Sequence, residues 1–359
     1  MNIMEKLILD NGREIKFPLN KGYRGWDASD EYILNQDLSE KGKTLVIGDT
    51  DGALSYGVPS ETYSLVTSVI AQNSIEETLS LNKGSCHIIS SLDDLPATVE
   101  SIVIKLPRYV DLLEYYLQIV GNKYPGVKVI CGGMVKYMPI SMVRLTEEYF
   151  TDVTTSLAKK KARLMFGTSA NNCKKPTRFP KTYTIGDLTV VSYPGVFSSD
   201  HLDIGTRFLI EHIPADRSGD ILDLGCASGA IGLVAKEKNP NALVYLTDES
   251  YLATTSAKDS FKVNGFDGEF HTMNVLKEFP SDSMDIILCN PPFHNGNRVE
   301  VDIAIEMFKQ SRKVLRRGGT LFVVANKHLG YHKKLRDIYH NLKKVGENEK
   351  FFIYSVRKV

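Results

Sequence analysis

An internal repeat constrains the fold of this 359-residue chain more than any other feature. Gly48-x-x-x-Gly52 recurs as Gly225-x-x-x-Gly229 at an offset of 177 residues. Ile104-Lys-Leu-Pro107 recurs as Cys289-Asn-Pro-Pro292 at 185, and Val129-Ile-Cys-Gly132 as Val323-Val-Ala-Asn326 at 194. Offsets that drift upward imply small insertions in the second copy. In both halves the glycine motif follows a short apolar run, and the proline motif ends one. Short apolar runs alternating with stretches of helical spacing indicate a mainly parallel sheet covered by helices on both faces. The repeat therefore predicts two tandem α/β domains of one plan. Two unrelated α/β domains in series are the alternative. The composition of residues 167–182, rich in Gly, Ser, Asn, Pro and Lys, predicts a basic linker between a first copy at 1–166 and a second at 183–359.

Along the first copy, residues 7–17 suit a small hairpin around Asn11-Gly12. A strand runs into Gly48, residues 61–72 read as a helix with a short element at 75–81, and Cys86–Ser90 is a strand. Ser101–Pro107 is a strand stopped by proline, 110–120 has helical spacing, and 127–132 is the next strand. In the second copy, strands are expected at 220–225, 242–248, 269–274, 284–290, 320–325 and 351–356. Helices are expected at 230–237, 250–264, 301–315 and near 331–342. Gly318-Gly319 is expected to close the third of these helices.

Hydrophobic residues make up 42% and charged residues 24% of the chain, ordinary globular values that allow each half its own core. No stretch approaches the ~20 apolar residues of a membrane span, and the opening Met-Asn-Ile-Met-Glu-Lys lacks the pattern of a secretory signal. The five cysteines are scattered without a Cys-x-x-Cys pair. Reduced thiols in a cytoplasmic protein, and no metal site, are the expectation. The net charge is +1, yet from Lys159 to Lys181 there are eight basic residues and no acidic one. Lys159, Lys160, Lys161 and Arg163 in that run are candidate phosphate contacts, with a solvated linker as the plainer alternative.

Two motifs in the second copy carry chemistry. Asp223-Leu-Gly-Cys-Ala-Ser-Gly229 follows a strand and opens a helix, so Gly225, Cys226 and Gly229 lie where a backbone turns tightly and lets a ligand approach. Asp248, about twenty residues on at the next strand end, suits two ribose hydroxyls. A dinucleotide site has the same logic. Asp285-Ile-Ile-Leu-Cys-Asn-Pro-Pro-Phe-His294 is a buried strand broken at its carboxyl end, because Pro291 and Pro292 have no N–H for the ladder. There the Asn290 side-chain oxygen and the Pro291 carbonyl are two acceptors for a planar –NH2 group, and Phe293 can stack on a flat base. In the first copy Val46 stands where Asp223 does, and Lys105-Leu-Pro-Arg108 replaces Asn290-Pro-Pro-Phe293. Lysine has only donors, so that copy is expected to be a degenerate scaffold reused to hold RNA.

The order Asp223-x-Gly225, Asp248, Asn274, Asn290-Pro-Pro-Phe293 at successive strand ends resembles class I S-adenosylmethionine-dependent methyltransferases that modify amino groups. Over nearly the whole chain the sequence resembles the bacterial 23S ribosomal RNA guanine-N2 methyltransferases, with the 16S enzymes as close relatives. The resemblance includes Gly25-Trp-Asp-Ala-Ser-Asp-Glu-Tyr32, Lys105-Leu-Pro107, the basic segment Thr154–Leu164, Val196-Phe-Ser198, Leu202-Asp-Ile-Gly205, Asp248-Glu-Ser250 and Ala325-Asn-Lys-His-Leu329. It implies two Rossmann-like class I methyltransferase domains, the first degenerate, with S-adenosylmethionine as cofactor and ribosomal RNA as partner, 23S rather than 16S. It places Asp223 and Gly225 by the cofactor's methionine part, Asp203 near its amino-acid end, Asp248 at its ribose and Asn274 at its adenine edge. His294 is a candidate for proton removal after transfer, or packs beside the base. Ala227, at a loop position that is often glycine, and Asn274, in place of aspartate, depart from the wider pattern. Methylation of adenine N6 or of a release-factor glutamine shares the Asn/Asp-Pro-Pro-aromatic motif and is the enzymatic alternative. An RNA-binding assembly factor is the non-enzymatic one.

Overall fold

The computed structural model describes residues 5–19, 24–170, 178–292 and 298–359. It comprises two compact units, Met1–Thr177 and Arg178–Val359. The first runs β1 (Glu5–Ile8), β2 (Glu14–Phe17), α1 (Ala28–Leu34), β3 (Lys43–Ile47), α2 (Ala53–Gly57), β4 (Glu61–Leu65), α3 (Val69–Asn82) and β5 (His87–Ile89). It continues through β6 (Ser101–Lys105), α4 (Val110–Lys123), β7 (Lys128–Met134), α5 (Ile140–Tyr149), β8 (Phe150–Thr155) and β9 (Ala162–Ser169). The second opens with β10 (Lys181–Ile185), β11 (Leu188–Ser192), α6 (Ile204–Ile210), β12 (Gly219–Leu224), α7 (Ala230–Lys238), β13 (Ala242–Asp248) and α8 (Tyr251–Val263). It ends with β14 (Glu269–Thr272), β15 (Met284–Cys289), α9 (Arg298–Val314), β16 (Leu315–Asn326), α10 (Tyr331–Tyr339), β17 (Lys343–Glu347) and β18 (Phe351–Arg357).

Each unit holds one seven-stranded sheet, and the two orders are the same: β5-β4-β3-β6-β7-β9-β8 and β14-β13-β12-β15-β16-β18-β17. The sixth strand in each, β9 or β18, is antiparallel to both neighbours, and the other pairings are parallel. Each unit also begins with a two-stranded hairpin and a seven-residue helix. The repeat seen in the sequence is thus a repeat of topology. One match needs a correction. Ile104 pairs with Cys131 and Cys289 with Val323, so Cys131, rather than Val129, is the counterpart of Val323. A shift of two residues keeps every side chain on its face of the sheet, which is why the apolar pattern alone allowed it.

The central strands are buried on both faces. Ile287, Leu288 and Cys289 have no exposed surface, nor do Leu45, Val46 and Ile47. Burying a side chain of this kind contributes ~1.5–3 kcal/mol. Strand β11 is stabilised differently. The N–H groups of Thr189 and Val191, and of Tyr193 just past its end, donate to Oδ1 of Asn264, the C-cap of α8, and to Ser260 Oγ and Ser256 Oγ, at 2.9, 2.8 and 3.0 Å. These three side chains recur every four residues on one face of α8, so a helix takes the place of a neighbouring strand.

Three expectations change. Residues 61–72 divide into β4, paired in parallel with β3, and the start of α3. Sheet pairing outweighs the helical spacing there, because Thr62 and Tyr63 suit a pleated surface. Gly318-Gly319 lies inside β16 rather than closing α9, which ends at Val314. A β-carbon on Gly319 would come within 3.0 Å of the carbonyl oxygens of Asp285 and Arg316, so glycine is required by a bulged strand and not by a helix end. The segment expected to be a linker begins inside β9 and ends inside β10, with 171–177 outside the described residues. Among the described residues no helix is long and apolar enough to cross a membrane, and no group of His, Cys, Asp and Glu is arranged to hold a metal.

Candidate functional site

In the second unit the chain leaves β12 toward β13 and β14 on one side, then returns to lay β15 on the other. The carboxyl ends of β12 and β15 flank that reversal, where open α/β sheets form a crevice. Gly225 (φ 74°), Ala227 (φ 47°) and Gly229 (φ 81°) are all left-handed, which curls the loop after β12 tightly over the start of α7. A β-carbon at Gly229 would meet Ala257 at 3.0 Å, so glycine is fixed there by packing as well as by conformation. Ala227 takes the same conformation with a β-carbon, at a cost of roughly 1–2 kcal/mol. Its N–H is held by Asp248 Oδ2 at 2.9 Å. The amides of Gly225 and Cys226 both donate to the Thr247 carbonyl at 2.9 Å, and the buried Cys226 thiol lies within the loop.

Asp223 is fully buried. Its Oδ2 accepts from the Gly232 amide in the first turn of α7 at 2.9 Å. Burial, with a smaller push from Asp248, raises its carboxyl to about 7, and the Gly232 bond only partly opposes this. Asp248, half-buried at the end of β13, accepts from Ala227 on Oδ2 and from Ser250 on Oδ1, at 2.9 and 3.0 Å. Burial raises its carboxyl too. Asn274 is half-buried just beyond β14.

Asn290 directly follows β15. Its Nδ2 donates to Thr206 Oγ1 at 2.8 Å and to Asp203 Oδ2 at 3.3 Å. Asp203 caps α6 by accepting from the Thr206 amide at 2.9 Å. Asp203, expected near a cofactor, therefore directs one oxygen to its own helix and to Asn290. Pro291 is buried and Pro292 exposed, with the Pro292 carbonyl accepting from Tyr331 Oη at 3.3 Å. Phe293 and His294 lie outside the described residues.

Three buried oxygens here have no hydrogen-bond partner among the described residues: Asp223 Oδ1, Thr247 Oγ1 and Asn290 Oδ1. They belong to adjacent strands, since Leu224 pairs with both Thr247 and Cys289. An unpaired buried acceptor costs ~1–3 kcal/mol, and a cluster of them at one sheet edge indicates a ligand that supplies donors. Gly232, Thr206 and Tyr331 were not anticipated from the sequence. Only Gly232, nine residues after Asp223 in the first turn of a helix, carried a signal that could have found it.

At the equivalent edge of the first unit, side chains bond within the unit itself. Val46 leaves no carboxylate at the Asp223 position. Asp49, inside the loop, accepts instead from the amides of Asp51 and Gly52 at 3.3 and 3.1 Å, and from the Ser55 amide and hydroxyl at 2.7 Å. Lys105, at the Asn290 position, bonds to Asp30 and lies 3.5 Å from Asp27, the cap of α1. Burial lowers the Lys105 ammonium, but the carboxylates of Asp30 and Asp27 outweigh it and hold the group above its ordinary value. Asp30, buried, is raised to about 6 by desolvation.

In the basic run, Lys159, Lys160 and Lys161 lie in the turn between β8 and β9, and Arg163 is already in β9. Lys159 pairs with Asp10 at 3.3 Å and Lys160 with Glu31 at 2.6 Å. Lys161 is exposed, while Arg163 is half-buried with its Nε unpartnered among the described residues. Two of the four expected phosphate contacts thus face acids of their own unit. Lys174 and Lys175 lie outside the described residues.

Comparison with known proteins agrees with this architecture. Residues 187–355 match the Methyltransferase small domain and residues 15–171 the RLMG N-terminal domain. The fold matches that of a 16S rRNA N2 guanosine methyltransferase from T. thermophilus, solved in complex with AdoMet and guanosine. The TM-score is 0.79 and the identity 18%, over 100% of this chain and 98% of that one. A ribosomal RNA large subunit methyltransferase G from Erwinia tasmaniensis is 36% identical over 345 residues, 92% of each chain. One from Streptomyces coelicolor is 36% identical over 93% of this chain and 94% of its own. With both halves matched and identity of this level end to end, the chain belongs to the ribosomal RNA large subunit methyltransferase G family.

Proposed function

We propose that this protein transfers a methyl group from S-adenosylmethionine to the exocyclic N2 amine of a guanine in 23S ribosomal RNA, in the cytoplasm. The observation that carries this reading is Asn290, whose amide nitrogen is engaged by Asp203 and Thr206 while its oxygen is buried and unpaired at the edge of the sheet. The large-subunit target rests on the names of relatives similar over almost their whole length.

The residues present fit the cofactor. Asp223, Gly225, Cys226 and Gly229 would border its methionine part, and the unpaired Asp223 Oδ1 suits a cationic amine. Asp248, which accepts from the amides of Ala227 and Ser250, would offer its remaining acceptor capacity to the ribose hydroxyls. Asn274 would meet the adenine edge by donating and accepting. When bound, S-adenosylmethionine supplies an electrophilic methyl on a sulfonium.

Guanine N2 is a poor nucleophile because its lone pair is delocalised into the ring. Asn290 Oδ1 and the Pro291 carbonyl accept its two hydrogens and favour the pyramidal geometry that frees the lone pair. Pro291 and Pro292 hold that turn rigid, and Phe293 stacks on the base. Alignment of this kind supplies up to ~7–11 kcal/mol. The product amine then loses its proton, with His294 as the nearest candidate in sequence to receive it. The Lys159–Arg163 run contributes to RNA affinity through phosphates.

The test is methyl transfer from labelled S-adenosylmethionine to 23S RNA, 16S RNA, DNA and release factor, followed by nucleoside and amino-acid analysis. The expected product is N2-methylguanosine in 23S RNA. Label in 16S RNA alone would reassign the subunit, and methyladenine or methylglutamine would overturn the reading.

A further inference from the structure

The side-chain amide of Asn290 is held from one side only. A carboxylate oxygen has no hydrogen to give, so the amide must turn its nitrogen toward Asp203. The opposite orientation would press Asn290 Oδ1 against Asp203 Oδ2, two acceptors in repulsion. Helix α6 therefore sets which face of Asn290 is left over, not the strand that precedes it. Asp203 and Thr206 are the cap and third residue of that helix, positions whose side chains lie side by side. The bond from the Thr206 amide to Asp203 Oδ2 holds the pair together.

The first unit builds the same triangle independently. Asp27 caps α1, Asp30 is its third residue, and Lys105 reaches both from the corresponding strand end. There a donor-only group meets two acids, and the charges close on themselves. In the second unit a threonine replaces one acid and an amide replaces the ammonium. Both versions leave one buried oxygen over among the described residues, but in the first unit it is Asp30 Oδ1, on the helix, whereas in the second it is Asn290 Oδ1, on the strand end.

We infer that Asp203 and Thr206 are positioning residues that fix the Asn290 amide with its oxygen toward the substrate amine. This rests on the reading of the site as an amino-group methyltransferase. Without them the amide can flip and present its own N–H groups to the amine, donor against donor.

Three substitutions separate this role from a structural one. Thr206→Val keeps the shape and removes the acceptor, Thr206→Ser keeps the hydroxyl, and Asp203→Ser keeps a helix cap too short to reach Asn290. In the full chain, the double variant Asp203→Ser/Thr206→Val should lower kcat ~10- to 100-fold, as loss of supporting residues around a site commonly does. The dissociation constant for S-adenosylmethionine is read on Thr206→Val alone, because Asp203 is itself expected near the cofactor's amino-acid end, and should stay within about twofold. Thr206→Ser should restore turnover. In 15N-asparagine-labelled protein, the Asn290 side-chain amide, assigned by its loss in Asn290→Asp, should lose its protection from solvent exchange in the double variant. Unchanged kcat, or unchanged amide protection, would overturn the inference. Absence of N2-methylguanosine from the wild-type reaction would instead defeat the functional reading, and amide protection would still decide the orientation of Asn290.

Discussion

At the scale of single residues, two side chains of the site are open to direct tests. Asn290→Ala removes the one side-chain acceptor offered to the amine, and its oxygen makes no bond within the described protein. Turnover should fall by about 100- to 1000-fold, the usual consequence of deleting one preorganised polar group. Calorimetric affinity for S-adenosylmethionine should hardly change. Variant turnover close to wild type would remove Asn290 from the mechanism. Asp223 gives a pH dependence. Its folded carboxyl titrates near 7 against an ordinary 3.8, so between those values the folded chain keeps a proton that the unfolded chain has released. The contribution of Asp223 to stability therefore falls as pH rises through that window. A cationic ligand beside it favours the ionised form, so cofactor affinity should strengthen as pH rises from 6 to 8, with proton release on binding. Affinity that is flat in pH for wild type and for Asp223→Asn alike would show that the carboxylate does not face the cofactor's charge.

At the scale of elements, the legible features were those in which chain neighbours cooperate. The strand–glycine loop–helix run from Asp220 and the proline-broken end of β15 were readable because turn chemistry and apolar runs are local. The role of Asp203 was not, because its partner Asn290 is 87 residues away and no periodicity links them. Asp49 was hidden for another reason: its partner Ser55 is only 6 residues on, but the bond forms because α2 carries Ser55 back over the loop. The basic turn between β8 and β9 was legible as charge but not as pairing. Because Lys159 and Lys160 face Asp10 and Glu31, replacing the four residues Lys159, Lys160, Lys161 and Arg163 by glutamine should cost fewer than four phosphate contacts. Each true contact adds about 0.7 to 0.9 to the salt slope of RNA affinity. The slope should therefore flatten by roughly 1.4 to 1.8, with the loss uniform across RNA sequences. Parallel salt plots for wild type and variant would reduce the run to a solvated face.

At the scale of the whole molecule, a duplicated sheet raises the question of whether there are one or two cofactor sites. The second copy offers unpaired oxygens at Asp223, Thr247 and Asn290. The first meets the corresponding amide, at Ser55, with Asp49, a carboxylate rooted in the loop itself rather than in the strand before it, and has no acid at the Asp223 position. At its strand end Lys105 pairs with Asp27 and Asp30, which leaves Asp30 Oδ1 as the unpartnered oxygen there among the described residues. Calorimetry of the full chain should therefore return one S-adenosylmethionine per chain. Asp248→Ala should weaken it ~100-fold or more, since two hydrogen bonds to a charged group are worth ~1.5–3 kcal/mol each. Lys105→Met should behave in the opposite way. It strands the buried Asp30 without its cation and should cost ~3–5 kcal/mol in denaturant unfolding, because an uncompensated buried charge is expensive. That penalty should shrink as pH falls toward about 6, because without Lys105 the carboxyl of Asp30, already raised by desolvation, is raised further and takes up its proton at higher pH than in the wild type. The cofactor stoichiometry of Lys105→Met should stay at one. A wild-type stoichiometry of two, or loss of cofactor binding in Lys105→Met protein that remains folded, would mean that the first copy still binds.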